Sequence, residues 1–324
     1  MPPQPNSFAP INTFSLVNSG GAMNQIFLTT IIFCIALLNA CSDNVGPSPY
    51  IPPDPPQPVI TANGFDTPNS LDYHSRFSPD GSQIAYTIYD GTVTEVWLYN
   101  ISEQLTRPLI QSRSGDLYLS WSPDGTQLVY DSRTSSGLNQ LFIYNISNGN
   151  SSLITNPSNS MFLADWCRAT NKIVLVYNGF LSEMNPDGTE ITRILNDSRN
   201  ILFTAVSFDG TYIAYDSDRN GNRDLYVINR DGTNETRITD FSGEDTRPRW
   251  SPDGTKLLYE SDRSGNRDLW VHDFNTQTHT QITFTPGWDS MGDWSPDGTQ
   301  IVFSEEHDTS SRYGSRISII NYQQ

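Results

Sequence analysis

Four aspartates hold matching places along this chain: Asp72 and Asp116 lie 44 residues apart, and so do Asp245 and Asp289. Two residues after that place, in six successive segments, come His74, Tyr118, Leu163, Phe203, Arg247 and Met291. Two further on come Arg76, Ser120, Asp165, Ala205, Arg249 and Asp293, and Trp288 stands just before the last of the four aspartates. Carboxylates, guanidinium groups and rings in such an array do the chemistry of gripping: charge pairing, cation–π contact and stacking. Asp72, His74, Arg76, Asp116, Tyr118, Arg247, Arg249, Trp288, Asp289 and Asp293 are therefore the candidate partner-binding residues. The plainer reading of the four aspartates is that they tie down Arg-rich loops around Arg219 and Arg263.

Catalytic patterns are absent. The chain has no G-x-S-x-G elbow, no H-E-x-x-H helix and no G-x-x-x-x-G-K-[ST] loop. Its four histidines, His74, His272, His279 and His307, read as falling in different repeats at different depths, so only His74 suits a metal-dependent lyase site. The run Asp216 to Asp224 imitates the start of an EF-hand loop, but Val227 stands where a bidentate Glu is needed. The similar run Glu260 to Asp268 marks it as a repeated turn, so neither a metal nor another cofactor is expected.

The elements that position these residues repeat. Ser78-Pro79-Asp80-Gly81 recurs as Ser122 to Gly125, Ser251 to Gly254 and Ser295 to Gly298. A worn copy lies at Ser207-Phe208-Asp209-Gly210, and a sixth, Cys167-Arg168-Ala169-Thr170-Asn171, keeps only the register. Pro presets φ and Gly takes φ > 0, so each copy is a hairpin turn. A period near 44 residues signals a repeat architecture. Before each turn a strand ends at Phe77, Trp121, Trp166, Val206, Trp250 or Trp294, and two apolar strands and a polar fourth follow. The third strand closes on Asn100, Asn145, Asn185, Asn229, Asp273 or Asn321, residues that cap turns with their side chains. In the third copy the loop between strands two and three shrinks to Tyr177-Asn178-Gly179, leaving a notch on the loop-rich face. The sixth copy stops after its third strand, and Pro58-Val59-Ile60-Thr61 reads as the missing fourth. The expected fold is all-β: a six-bladed β-propeller of four-stranded blades over 59–324, its last blade closed by the N-terminal strand. The first strands should line a central channel, with alternation turning two of the three aligned sets inward.

The repeat resembles the WD40-like (PD40) propeller repeat of the TolB family. Asp245-Thr246-Arg247-Pro248-Arg249-Trp250-Ser251-Pro252-Asp253-Gly254 carries the first part of its signature, and Ser217 to Tyr226 and Ser261 to Trp270 carry the second, S-D-R-x-G-x-x-D-[IL]-[YW]. The resemblance implies a binding scaffold of the bacterial envelope. TolB has an α/β domain before its propeller; here a tether stands in that place.

Residues 1–40 contain no charged side chain, and the apolar run Ile26 to Leu38 leads into Leu38-Asn39-Ala40-Cys41. This resembles a signal peptide ending in a lipobox, with translation starting at Met23 and a lipid on Cys41. Ser42 after the lipidated Cys favours the outer membrane. Pro-rich residues 41–58 form an extended tether. Cys34 would leave with the signal and Cys167 would stand alone, so no disulfide is expected. The net charge of −17 repels phosphate backbones, which argues against nucleic acid. The functional expectation is a non-catalytic, monomeric, lipid-anchored propeller that binds an envelope protein or peptide on its loop-rich face and channel mouth. The alternatives are an envelope carbohydrate-binding protein or a metal-dependent polysaccharide lyase using the channel.

Overall fold

The structure is a computed structural model and describes residues 71–112, 117–134, 137–155, 161–306 and 315–323. Cys41, the Pro-rich tether, Val59 to Thr61, Asp116 and His307 lie outside the described residues, and Asp72 is described as backbone alone. The expected signal peptide, lipid site and closing strand therefore lie outside them too.

Six antiparallel sheets follow one another along the chain. Blade 1 comprises β1 (Leu71–Phe77), β2 (Gln83–Tyr89), β3 (Thr94–Asn100) and β4 (Leu105–Ser112). Blade 2 holds β5 (Leu119–Trp121), β6 (Gln127–Arg133), β7 (Asn139–Asn145) and β8 (Ser151–Leu153). Blade 3 holds β9 (Met161–Trp166), β10 (Ile173–Tyr177), β11 (Phe180–Met184) and β12 (Thr192–Arg193). Blade 4 runs through β13 (Ile201–Val206), β14 (Tyr212–Ser217), β15 (Asp224–Asn229) and β16 (Thr236–Arg237). Blade 5 runs through β17 (Asp245–Trp250), β18 (Lys256–Ser261), β19 (Asp268–Asp273) and β20 (Thr278–Gln281). Blade 6 has three strands among the described residues, β21 (Asp289–Trp294), β22 (Gln300–Glu306) and β23 (Ser315–Asn321).

Every first strand ends at the large residue before the turn. In that turn Ser78 Oγ donates to Asp80 and accepts the Gln83 amide (2.9 Å), and the Gly81 amide reaches the Ser78 carbonyl (2.9 Å). In blades 2, 4 and 5 the fourth strand is short and a Thr hydroxyl continues the pairing where the ladder ends. Thr155, Thr239 and Thr283 accept the Leu141, Leu225 and Leu269 amides at 2.9–3.1 Å. The Asn178-Gly179 hairpin of blade 3 has both residues at positive φ (49° and 82°), the turn that two-residue connection requires.

The core lies between blades. Phe77, Ile84, Tyr86 and Ile88 of blade 1 pack with Val302 and Ile317 of blade 6, and five comparable clusters join each blade to its successor. Burial of apolar side chains at roughly 25 cal/mol per Å² makes these seams the main stabilising contacts. The blade 6–blade 1 seam also carries a polar link, the Phe77 amide donating to Asp293 Oδ2 at 3.0 Å. The molecule is thus a six-bladed β-propeller, with blade 6 packed directly against blade 1.

Candidate functional site: the central channel and its two mouths

Simple alternation fails in the first strands. In five of the six the pairing register slips near the second residue of the aligned sets, and His74, Leu163, Arg247 and Met291 sit there at φ of 54° to 60°. Such a bulge bends the strand and re-aims side chains. It also frees amides, and buried acids take them. Tyr118 N donates to Asp131 Oδ1 (2.7 Å), Phe203 N to Asp216 Oδ1 (3.0 Å), and Met291 N to Glu260 Oε1 (2.6 Å). The sequence reading passed over Asp131 and took Asp216 and Glu260 only for the starts of repeated turns; their signal is a Tyr–acid pair near the end of the second strand, Tyr130-Asp131, Tyr215-Asp216 and Tyr259-Glu260.

Two layers result. Toward the loop-rich face, His74 of blade 1 meets Tyr118 of blade 2 (ring centroids 3.9 Å apart), and Tyr118 meets Phe203 of blade 4 (5.6 Å). The Arg247 guanidinium of blade 5 lies over the Phe203 ring at 4.4 Å and pairs with Glu260 at 2.8 Å. Contact between blades 2 and 4, skipping blade 3, is possible only near the axis, so these side chains close the channel at that level. Burial, helped by Arg76 and Arg247, holds His74 well below its ordinary pKa. At this mouth the rings of His74, Tyr118 and Phe203 meet where the first strands were expected to line the channel.

Toward the turn face, the last aligned set faces a small cavity of about 60 Å³, lined by Arg76, Ser120, Asp165, Ala205, Arg249 and Asp293, with Arg168 and Phe208 at its rim. Three of these side chains accept an amide of the next blade: Asp293 from Phe77, Ser120 from Trp166 (2.9 Å) and Asp165 from Val206 (2.8 Å). The Trp121, Trp250 and Trp294 indoles donate to the carbonyls of Arg76, Ala205 and Arg249 at 3.2–3.3 Å. Burial pushes the Asp165 and Asp293 carboxyls up, against the opposing pull of Arg76 and the amides.

The other candidates scatter. Asp245 is fully buried and pairs with Arg263 at 3.2 Å, whereas Arg219 pairs with Glu235. Asp289 is buried beside Thr285 (2.9 Å), and desolvation lifts its carboxyl to about 7. Trp288 lies on the loop-rich side, 51 % exposed, with the Arg267 guanidinium 5.4 Å from its ring. In the EF-hand-like run, Asp216 and Asp218 face Arg223 and Asp224 faces Arg237. His272 and His279 are not in separate blades as expected. They are cross-strand partners in blade 5, 4.4 Å apart, because the β19–β20 turn is tight enough to place them opposite each other. Among the described residues no group of His, Cys, Asp and Glu side chains is arranged to hold a metal.

Residues 200–322 match the family model PD40, the TolB beta propeller domain. No curated protein sequence matches the chain. Among solved structures, a candidate TolB from Agrobacterium tumefaciens aligns at 16 % identity and TM-score 0.59, over 72 % of this chain and 99 % of that one. TolB from Acinetobacter baumannii aligns at 17 % identity and TM-score 0.59, over 79 % and 80 %. An oligogalacturonate lyase from Vibrio parahaemolyticus aligns at 13 % and 0.55, over 82 % and 97 %, so enzymes share this architecture as well. Blades 4 to 6 thus match the model of the TolB beta propeller domain, and TolB proteins are among the solved structures that share the fold.

Proposed function

We propose that this propeller is a non-catalytic binding module of the bacterial envelope, anchored by a lipid on Cys41, which docks a protein or peptide through its loop-rich face and channel. One observation supports it above others: Trp288 stands half-exposed beside Arg267 on the loop-rich face, with Phe284, 45 % exposed, four residues before it in the chain. Exposed Trp and Arg are the side chains that dominate interface hot spots. The channel's side chains argue against catalysis in a different way. Asp165, Asp293 and Ser120 are engaged in joining blades, and His74 is walled in by rings. Capture from envelope extract of the native host on the purified full chain tests the reading. Trp288→Ala should lower recovery of the captured protein about tenfold or more; equal recovery with either chain contradicts it.

A second reading, a metal-dependent lyase, has one observation in its favour. His74 Nδ1 is buried without a hydrogen-bond partner. A stoichiometric metal in the purified protein together with turnover of polyuronides would establish it in place of the first.

A further inference from the structure

The cavity at the turn face has a charge pattern unlike the rest of the molecule. Arg76, Arg168 and Arg249 face Asp165 and Asp293, one positive charge in excess, in a chain of net charge −17. None of the three guanidinium groups is held by a carboxylate among the described residues. Arg76 donates to the Ser75 carbonyl (2.8 Å) and Arg249 to the carbonyls of Thr204 and Pro248 (3.0 Å each). Arg168 lies over the Phe208 ring at 4.3 Å. Arg76 is 7 % exposed, and its Nε is a buried donor with no partner. A buried charged donor left unsatisfied is unfavourable unless a ligand completes it. Asp165 and Asp293 attract Arg76 through space but form no ion pair with it, and each accepts a backbone amide of the next blade.

The shape narrows the ligand further. The free space of about 60 Å³ holds several waters at about 10–15 Å³ each, which is room enough for a carboxylate head. The chamber is also a dead end, since the layer of His74, Tyr118 and Phe203 blocks the axis beyond it. A chain therefore cannot thread through; only a tip can enter. Finally, the rim differs from the other blades. Arg168 and Phe208 stand where the intact turns have Pro79, Pro123, Pro252 and Pro296. A cation resting on a ring thus takes the place of the prolines at the two worn turns.

We propose that this chamber binds the carboxylate of a peptide, paired to the guanidinium groups of Arg76 and Arg249, with Arg168 on Phe208 as its rim. The inference rests on the reading of the propeller as a protein- or peptide-binding module and assigns the chemistry of the group it takes. Guanidinium–carboxylate pairing can be bidentate, which gives such a site direction as well as charge.

The test uses the full chain and four probes: N-acetylglycine, its amide, an N-acetylaspartate α-amide whose only acid is the side chain, and glucuronate. The readout is the indole N–H resonances of Trp121, Trp166 and Trp250, all of which line the chamber. N-acetylglycine or the side-chain acid should shift these resonances saturably while the uncharged amide does not, and the preferred acid identifies which carboxylate of the peptide enters. Arg76→Gln and Arg249→Gln should each weaken that binding about tenfold or more. Equal shifts by acid and amide, no saturable shift with either acid, or tighter binding of glucuronate would overturn the proposal. The wild-type preference for acid over amide stands as a test even if a variant fails to fold. Loss of carboxylate binding with Trp288-dependent capture intact sinks this inference alone; loss of that capture with carboxylate binding intact sinks the docking on the loop-rich face.

Discussion

Asp216 accepts from five groups among the described residues, and removing it should be costly. Its side chain is 0 % exposed and closes the second strand of blade 4. Oδ1 accepts the Leu202 amide (3.1 Å), the Phe203 amide (3.0 Å) and Arg223 Nη1 (3.0 Å). Oδ2 accepts the Thr246 hydroxyl and the Arg247 amide (3.4 Å) of blade 5. Asp216→Ala strands the Leu202, Phe203, Thr246 and Arg247 donors, while Arg223 loses its buried partner and keeps Asp218 and the Asn200 carbonyl. A buried donor so stranded costs about 1–3 kcal/mol, and removing one partner of a buried ion pair costs about 3–5 kcal/mol. The terms overlap because they share one side chain, so the expected loss is about 4 kcal/mol. Asp216→Asn keeps one acceptor and turns an NH₂ toward other donors, for a loss of about 2 kcal/mol. The control is Asp218, which pairs with the same Arg223 at 3.3 Å but is 37 % exposed. Asp218→Ala should cost about 1 kcal/mol or less. Urea unfolding of the three variants at neutral pH, compared at a common slope, reads these differences. If Asp216→Ala costs no more than Asp218→Ala, the buried acids do not hold the bulged strands and the reasoning fails.

Other outcomes follow from the same geometry. Asp289 is lifted to about 7 chiefly by burial, from an ordinary value near 3.9. The folded state therefore keeps a proton that the unfolded chain has released. Stability fully present below about pH 4 is lost as pH rises toward 7, by up to about 4 kcal/mol. Asp289→Asn should flatten that slope in unfolding measured from acid to mildly alkaline pH, and an unchanged slope contradicts it. Gly188 has φ of +82°, and a Cβ there would lie 1.8 Å from the Ile154 carbonyl oxygen of the neighbouring blade. Gly188→Ala should lose more than about 3 kcal/mol in urea unfolding; a near-neutral effect would show that the blade 2–blade 3 seam yields at this point.

Much of the wheel was legible because its turns are chemical necessities. Pro and Gly in S-P-D-G admit few conformations, so the strand ends at Phe77, Trp121 and Trp250 could be read to the residue. Asn178-Gly179 specified its hairpin for the same reason. The fourth strands were harder to bound, since Thr155, Thr239 and Thr283 finish the ladder with hydroxyls that no periodicity reveals. The channel was legible only in part. Aligning the first strands brought Arg76, Arg249 and Asp293 together correctly, yet period-two reasoning could not foresee the bulge at His74, Arg247 and Met291. At the level of that bulge lies the layer of rings. Nor did the sequence mark Arg168 as a rim residue, because a degraded motif reads as loss until its side chain is seen over the Phe208 ring beside the cavity. His272 and His279 went astray for a simpler reason: the third and fourth strands of one repeat pair across a short turn, which puts both in blade 5.

The account's central claim is a wheel whose blade 6–blade 1 seam is as closed as the others. Native-state hydrogen exchange of the Phe77 amide, bonded to Asp293 across that seam, tests it most directly. The predicted result is protection matching that of the Trp166 and Val206 amides, which make the same link between neighbouring blades. Exchange of Phe77 at the rate of an exposed loop amide, with Trp166 and Val206 still protected, would mean that the ring stands open and would contradict the claim.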